Sequence, residues 1–177
     1  MRLLKGFILA IAGLFIVVTS FSLLIPSRVI TMRTVIIHAK QEEVFAEIAD
    51  LQNWKHWHPV FMQDSSAMQI SKPSSGVKAY VAWTSKGKEN KLQIIEVEAN
   101  QIKVSLMRSG ENDLANILSI TSLKDSNDVQ VEWRVFTKLK WYPWEKFSGI
   151  FIDKMTGPGY EAALNNLKEL IEGKPSN

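Results

Sequence analysis

The chain has 177 residues, of which 46% are hydrophobic and 22% charged, a composition that predicts a packed core rather than disorder. Its formal net charge is only +3, and this near balance excludes nucleic acid as the main partner, because nucleic-acid binding needs a dense basic face. The absence of cysteine excludes disulfides, thiolate metal sites and a cysteine nucleophile.

The first predicted element is a membrane-spanning helix. Residues 7–25 carry no charged side chain, and at a rise of ~1.5 Å per residue they cover about the ~30 Å hydrocarbon core of a bilayer. Arg2 and Lys5 precede this run, so the positive-inside rule predicts a cytoplasmic N-terminus and an extracytoplasmic domain. Arg28 follows the run and weakens the predicted orientation.

A cleaved signal peptide is the alternative interpretation of the same segment. Its hydrophobic part would be shorter, ~7–15 residues, and would end at a small-residue cleavage site. Ser20-Phe21-Ser22 is the one candidate for such a site, but more apolar residues follow it. The pattern therefore favours an uncleaved anchor over residues 1–27. Pro26 ends its helix, because proline lacks an N–H and clashes with the preceding turn.

The body of the chain has the alternation typical of an antiparallel sheet. Residues 29–38 are rich in β-branched side chains and predict a strand, and residues 41–50 place Val44 and Ile48 at helical spacing. Further strands are predicted, the first of them weakly, at 64–71, 77–85, 91–98, 102–108, 113–123 and 129–139. One face of the 77–85 strand is predicted to be buried: Val77, Ala79, Val81 and Trp83. Such clean alternation indicates a sheet with one buried face.

A long C-terminal helix is predicted from Pro143, a residue suited to a first helical turn, to Gly173. Its first half carries an apolar stripe: Phe147, Ile150, Phe151 and Met155. Gly157-Pro158-Gly159 predicts a kink or a break. A curved sheet wrapped around such a helix leaves a gap, because a bent sheet cannot contact a straight rod along its whole length. Gaps of this kind are apolar pockets that hold small ligands.

Three stretches resemble a known superfamily. Residues 35–59 read V-I-I-H-A-K-Q-E-E-V-F-A-E-I-A-D-L-Q-N-W-K-H-W-H-P, residues 129–135 read V-Q-V-E-W-R-V, and residues 151–170 read F-I-D-K-M-T-G-P-G-Y-E-A-A-L-N-N-L-K-E-L. Together they resemble the SRPBCC superfamily, also called START or Bet v 1-like, and within it the membrane-anchored polyketide cyclase/dehydrase-like proteins. Ala163 stands where many relatives have glycine.

The resemblance implies an α+β helix-grip fold, a curved antiparallel sheet wrapped around the C-terminal helix. It implies a domain over residues 28–173, leaving 174–177 as a tail. It also implies a cavity for lipids, polyketides or other apolar ligands between sheet and helix. No catalytic constellation is shared across the superfamily, so the resemblance assigns no catalytic residue, cofactor or metal.

The stretch N-W-K-H-W-H-P-V-F at 53–61 is the densest cluster of aromatic and histidine side chains. A metal site is not predicted, because His56 and His58 are two residues apart and point different ways on a helix, and a third ligand is missing. A base-stacking platform is excluded because only Lys55 supplies positive charge. Two interpretations remain open: the tryptophans pack the segment onto the sheet, or its residues line the mouth of the cavity.

The predicted ligand-contacting residues are mostly apolar or aromatic and belong to elements that would surround the cavity. They are Trp57, His58, Phe61, Trp83, Met107, Trp133, Phe151, Met155, Tyr160 and Leu164. His58 is the one candidate acid or base in a plausible position, and a lone histidine is weak evidence for catalysis.

The sequence therefore predicts a domain anchored in the membrane through residues 7–25 that binds a hydrophobic small molecule or lipid. A cyclase/dehydrase-like enzyme, or a scaffold or sensor domain with a closed cavity, is the alternative. A protein partner is compatible with the sequence but not predicted by it.

Overall fold

The computed structural model describes residues 2–63, 68–85, 87–124 and 127–173. The helices are α1 (Arg2–Ser22), α2 (Gln41–Ala49), a 3₁₀ helix (Asn53–His56), α3 (Pro59–Gln63) and α4 (Pro143–Glu172). The strands are β1 (Arg28–His38), β2 (Gln69–Ile70), β3 (Tyr80–Ser85), β4 (Lys88–Glu98), β5 (Gln101–Arg108), β6 (Leu114–Ser122) and β7 (Asp128–Lys138).

The seven strands form one curved antiparallel sheet in the order β1-β7-β6-β5-β4-β3-β2. A bulge at Ile95 shifts the register between β4 and β5, and such an extra residue bends a strand and increases its twist. The long helix α4 packs against β1, and its Ala163, Leu164 and Leu167 are buried in the core that the sheet encloses. The predicted α+β helix-grip fold is confirmed.

The predicted strands differ from the observed ones mainly around β2 and β3. Of the weak strand at 64–71, only Gln69–Ile70 is extended, and residues 64–67 lie outside the described part of the chain. The 77–85 strand begins at Tyr80, and Val77 is 58% exposed instead of buried. The reason is local: Gly76 and Lys78 have positive φ angles, so the chain turns there and the alternation of faces starts only afterwards.

The predicted break at Gly157-Pro158-Gly159 does not occur, since α4 is helical throughout Pro143–Glu172. Gly157 serves a packing purpose: a Cβ at this position would lie 1.9 Å from Nη2 of Arg33. Arg33 belongs to β1, and its guanidinium donates to both carboxylate oxygens of Asp153 on α4, at 3.1 and 3.2 Å. This pairing lowers the pKa of Asp153 and joins the edge strand to the helix.

Replacing Gly157 by alanine is expected to displace Arg33 and weaken this pairing. Gly159→Ala is the matched control, because a Cβ there meets no atom within 4 Å. The control gains about 0.5–1 kcal/mol from helix propensity, whereas Gly157→Ala loses about 1–2 kcal/mol relative to it through the charged hydrogen bonds. Chemical denaturation of both full-length variants measures the difference. Equal stabilities would show that Arg33 moves aside at no cost.

Helix α1 stands apart from this domain. Its segment Leu3–Ser22 has the length and apolar composition needed to cross a membrane, and none of its most apolar stretch is buried. Helix α1 contacts α4, and Ser22 at its C-terminal end is buried. Lys146 of α4 is 2% exposed, and its Nζ donates to the Ile25 carbonyl at 2.8 Å and to Ser27 Oγ at 2.6 Å. The segment between α1 and β1 is thus fastened to the start of α4.

Candidate ligand cavity

The segment after α2 folds into an aromatic wall. Trp54 and Trp57 are fully buried, with ring centroids 4.9 Å apart, and Trp133 of β7 lies 5.9 Å from Trp54. The Trp54 indole donates to the Ile48 carbonyl at 3.0 Å. Asn166 of α4 donates to the Trp57 carbonyl at 3.0 Å. These bonds fix the short 3₁₀ helix between sheet and α4, so both tryptophans pack this segment into the core, and Trp54 also lines the cavity described next.

A cavity of about 290 Å³ lies beside this wall. It is bounded by the 3₁₀ helix, α3, strands β3 to β7 and the middle of α4. The residues that line it are Trp54, His58, Pro59, Val60, Phe61, Trp83, Leu92, Leu106, Arg108, Asn116, Trp133, Met155, Thr156, Gly159 and Tyr160. The volume is close to the lower end of the ~300–1,000 Å³ typical of small-molecule sites, so it suits a compact ligand.

The structure brings together six of the ten residues that the sequence selected. His58, Phe61, Trp83, Trp133, Met155 and Tyr160 all line the cavity. The other four lie elsewhere. Trp57 and Leu164 are buried but do not line the cavity, and Phe151 is exposed on α4. Met107 lines a separate concavity of about 600 Å³, next to Lys91 and Glu89.

Some lining residues were not selected although a signal for them exists. Leu106 and Arg108 follow Ile102 and Val104 at two-residue steps on β5, which places them on one face. Asn116 precedes buried Leu118 and Ile120 on β6 in the same way. The alternation along β5 and β6 can be read from the sequence. Arg108 and Asn116 were not selected because polar side chains are not expected in the wall of an apolar cavity.

His58 is the most perturbed polar group in the wall. Burial lowers its pKa from 6.5 to about 4, so the ring is neutral at pH 7. Its Nδ1 accepts the Val60 N–H at 3.3 Å, which places the proton on Nε2. Within the described ranges, no protein group accepts from this Nε2–H. A ligand oxygen is an acceptor that would suit it.

Four more polar side chains line the cavity: Arg108, Asn116, Tyr160 and Thr156, whose Oγ1 donates to the Ile152 carbonyl at 2.9 Å. Asn116 is already engaged, since its Oδ1 accepts from the Trp133 indole at 3.2 Å and its Nδ2 donates to the Leu114 carbonyl at 2.9 Å. Tyr160 packs against Trp133 with ring centroids 5.0 Å apart. Burial raises the pKa of its hydroxyl, and the charge of nearby Arg108 opposes this in part. The hydroxyl and guanidinium can together receive the polar end of an amphipathic molecule.

The rest of the described surface offers less defined sites. A second large concavity, of about 580 Å³, is lined by polar and basic side chains, Lys55 and Lys72 among them, together with Leu51, Met68 and Ile70. Over residues 2–63, 68–85, 87–124 and 127–173, no three His, Asp or Glu side chains are grouped as metal ligands. The 290 Å³ cavity is the candidate site because an apolar wall there meets a few directed polar groups.

The comparisons with known proteins agree with this architecture. Among curated proteins, no sequence matches the chain significantly. The fold is similar to a START superfamily protein from Mycobacterium smegmatis, at 15% identity and a TM-score of 0.59, covering 81% of this chain and 97% of that one. It is also similar to a norcoclaurine synthase point mutant from Thalictrum flavum in complex with a transition-state analogue, at 14% identity and a TM-score of 0.59, covering 82% and 95%.

CalU16 from Micromonospora echinospora is a third similar structure, at 16% identity and a TM-score of 0.56, covering 84% of this chain and 85% of that one. At such identities the likeness shows the fold alone. The sequence itself matches a family model over residues 28–172. With its helix-grip fold, the chain belongs to the family described as polyketide cyclase/dehydrase and lipid transport.

Proposed function

We propose that this protein is a membrane-anchored binding domain for an apolar or amphipathic small molecule, lipid-like or polyketide-like, held between the sheet and α4. The observation that carries the proposal is the 290 Å³ cavity, whose wall is mainly aromatic and aliphatic. His58, Arg108 and Tyr160 supply polar groups for one end of the ligand. The family description, which includes lipid transport, supports the same class of ligand.

The anchor in this proposal comprises residues 1–27 and the binding domain residues 28–173, and the predicted tail, 174–177, lies outside the described residues. Support comes from the exposed apolar helix Leu3–Ser22. Arg2 and Lys5 favour a cytoplasmic N-terminus and a domain on the extracytoplasmic side. An anchor of this kind keeps the cavity near the bilayer, into which such ligands partition.

Catalysis in the same cavity is the second candidate, and one observation favours it. The neutral His58 ring keeps an Nε2–H without a protein acceptor in the described residues, which suits hydrogen bonding to a developing oxyanion. Against general-base catalysis, a pKa of about 4 makes His58 a weak base. Binding is therefore the better supported function, and the cavity volume argues against a scaffold whose interior is filled by side chains.

Native mass spectrometry of the full-length protein, extracted from its own membranes in lipid nanodiscs, tests the binding proposal. We expect a discrete extra mass on the protein at near-stoichiometric occupancy. A largely apolar cavity offers water few hydrogen-bond partners, so an apolar ligand displaces it readily. Extraction and fragmentation then identify the molecule. A protein that is empty in repeated preparations, and is not stabilised by added lipids, would contradict the proposal.

A further inference from the structure

The first half of α4 carries a row of large apolar side chains that no part of the described chain covers. We call this row the α4 stripe and define it as Trp144, Phe147, Ile150, Phe151 and Met155. Their exposed fractions run from 40% to 78%. They recur at spacings of three and four residues, so they share one side of the helix. From the first to the last the row is about 17 Å long at ~1.5 Å per residue.

An adjacent side of α4 holds this half-helix onto the domain, and Ile150 lies at the border between the two sides. Lys146, Gly149 and Gly157 are buried there against the segment after α1, Leu139 just after β7, and Arg33 respectively. The α4 stripe is therefore left exposed to solvent, and only at its C-terminal end does Met155 also reach the edge of the cavity. An apolar surface of this extent on a folded protein marks a site of interaction.

The position of the stripe indicates what covers it. Its first residue, Trp144, is two positions from Lys146, whose ammonium binds the Ile25 carbonyl just beyond α1. Trp141 and Tyr142 stand at the same end, and the Tyr142 and Trp144 rings stack at 4.6 Å. If α1 spans the bilayer, this end of α4 lies at the level where the helix emerges. Tryptophan and tyrosine are enriched at that depth of a membrane.

The charges around the stripe fit a lipid surface as well. Between Pro143 and Met155, Lys154 is the one charged residue on the exposed side, as the helical period places the others elsewhere. Glu145 accepts the Lys140 N–H at 3.1 Å, and Asp153 is paired with Arg33. Anionic headgroups would thus meet a cation and apolar rings rather than free carboxylates.

We propose that the α4 stripe lies in the headgroup layer of the leaflet from which α1 emerges, so that the domain rests on the membrane through α4 as well as through its anchor. The inference depends on the membrane anchor of the proposed function. Helices of this type place their apolar face ~5–10 Å into the interface. The arrangement sets Met155, which also lines the cavity, at the membrane surface, beside the reservoir of an apolar ligand.

Spin labels on single cysteines test this, because the natural chain contains none. The full-length protein is labelled at Ile150→Cys, at Ile95→Cys or at Phe15→Cys and placed in nanodiscs containing anionic lipid. Ile150 and Ile95 are matched controls for each other, as both are isoleucines, 58% and 48% exposed. Phe15 lies in α1 and reports on the anchor alone.

We expect the label at position 150 to collide with dissolved oxygen several-fold more, relative to a water-soluble nickel chelate, than the label at position 95. The label at position 15 should likewise collide more with oxygen, relative to the nickel chelate, than the label at position 95. If the label at 150 shows the same ratio of oxygen to nickel collisions as the label at 95, while the label at 15 is in lipid, the inference is overturned but the membrane anchor is supported. If 15 is in water too, the anchor itself fails. Spin–spin broadening at 150 that vanishes on dilution with unlabelled protein would show a second copy on the stripe and would also overturn it.

Discussion

Gly159→Trp is expected to empty the cavity while the domain stays folded. Gly159 lies between Met155, Thr156 and Tyr160 on the side of α4 that lines the cavity. A Cβ built on it meets no atom within 4 Å, so a side chain can leave the helix there without strain. An indole at this position competes with a ligand for the same space. We expect affinity to fall by about 100-fold or more, which corresponds to about 2.8 kcal/mol of binding free energy.

The measurement is the fraction of protein that retains its ligand in native mass spectra, for the wild type, Gly159→Trp and Gly159→Ala prepared in parallel. The alanine variant controls for the loss of glycine and should keep its ligand. The free energy of unfolding of both variants should be no lower than that of the wild type. A Gly159→Trp protein that still carries the same mass at the same occupancy would place the ligand outside the cavity.

The second large effect is a loss of stability in acid caused by His58. Its pKa is about 4 in the folded protein and 6.5 in its ordinary state, so the unfolded chain takes up the proton first as the pH falls. The stability of the folded state is therefore complete above about pH 7 and decreases as the pH falls from 6.5 through 4. A difference of this size corresponds to about 3 kcal/mol.

The free energy of unfolding of the wild type and of His58→Gln, measured between pH 7 and 4, isolates this contribution. Glutamine is similar in polarity but does not titrate, so the variant should be less sensitive to acid by about 3 kcal/mol over this range. Burial raises the pKa of Glu47, which works in the opposite sense, and Asp153 titrates at lower pH, but both are present in the two proteins. If the free energy of unfolding of the two proteins depended on pH in the same way, His58 would not be a buried neutral imidazole.

The elements and the fold could be predicted because they depend on short-range patterns. Alternation along β7 and helical spacing in α2 and α4 are local consequences of backbone geometry, and the motif stretches fixed their order. The errors were local too. Val77 was assigned to a buried face because alternation alone does not show that Gly76 and Lys78 turn the chain just before β3.

The candidate site was predicted only in part, since it joins residues from opposite ends of the chain. Trp54 and Trp57 are both buried, yet only Trp54 faces the cavity, and their spacing in the sequence cannot distinguish them. Phe151 and Met155 belong to one apolar stripe of α4, but only Met155 reaches the cavity. Which of them does so depends on where the sheet curves away from the helix.

By itself, the sequence determined that the chain has one spanning-length apolar helix, an antiparallel sheet with one buried face and a long C-terminal helix, because hydrophobic periodicity and length suffice for each. Only the tertiary structure decided that Gly157 makes room for Arg33, that Arg108 and Asn116 enter the cavity wall, and that the apolar first half of α4 stays uncovered beside α1. A local pattern shows which side of an element is apolar. What covers that side is set by the packing of elements distant in sequence.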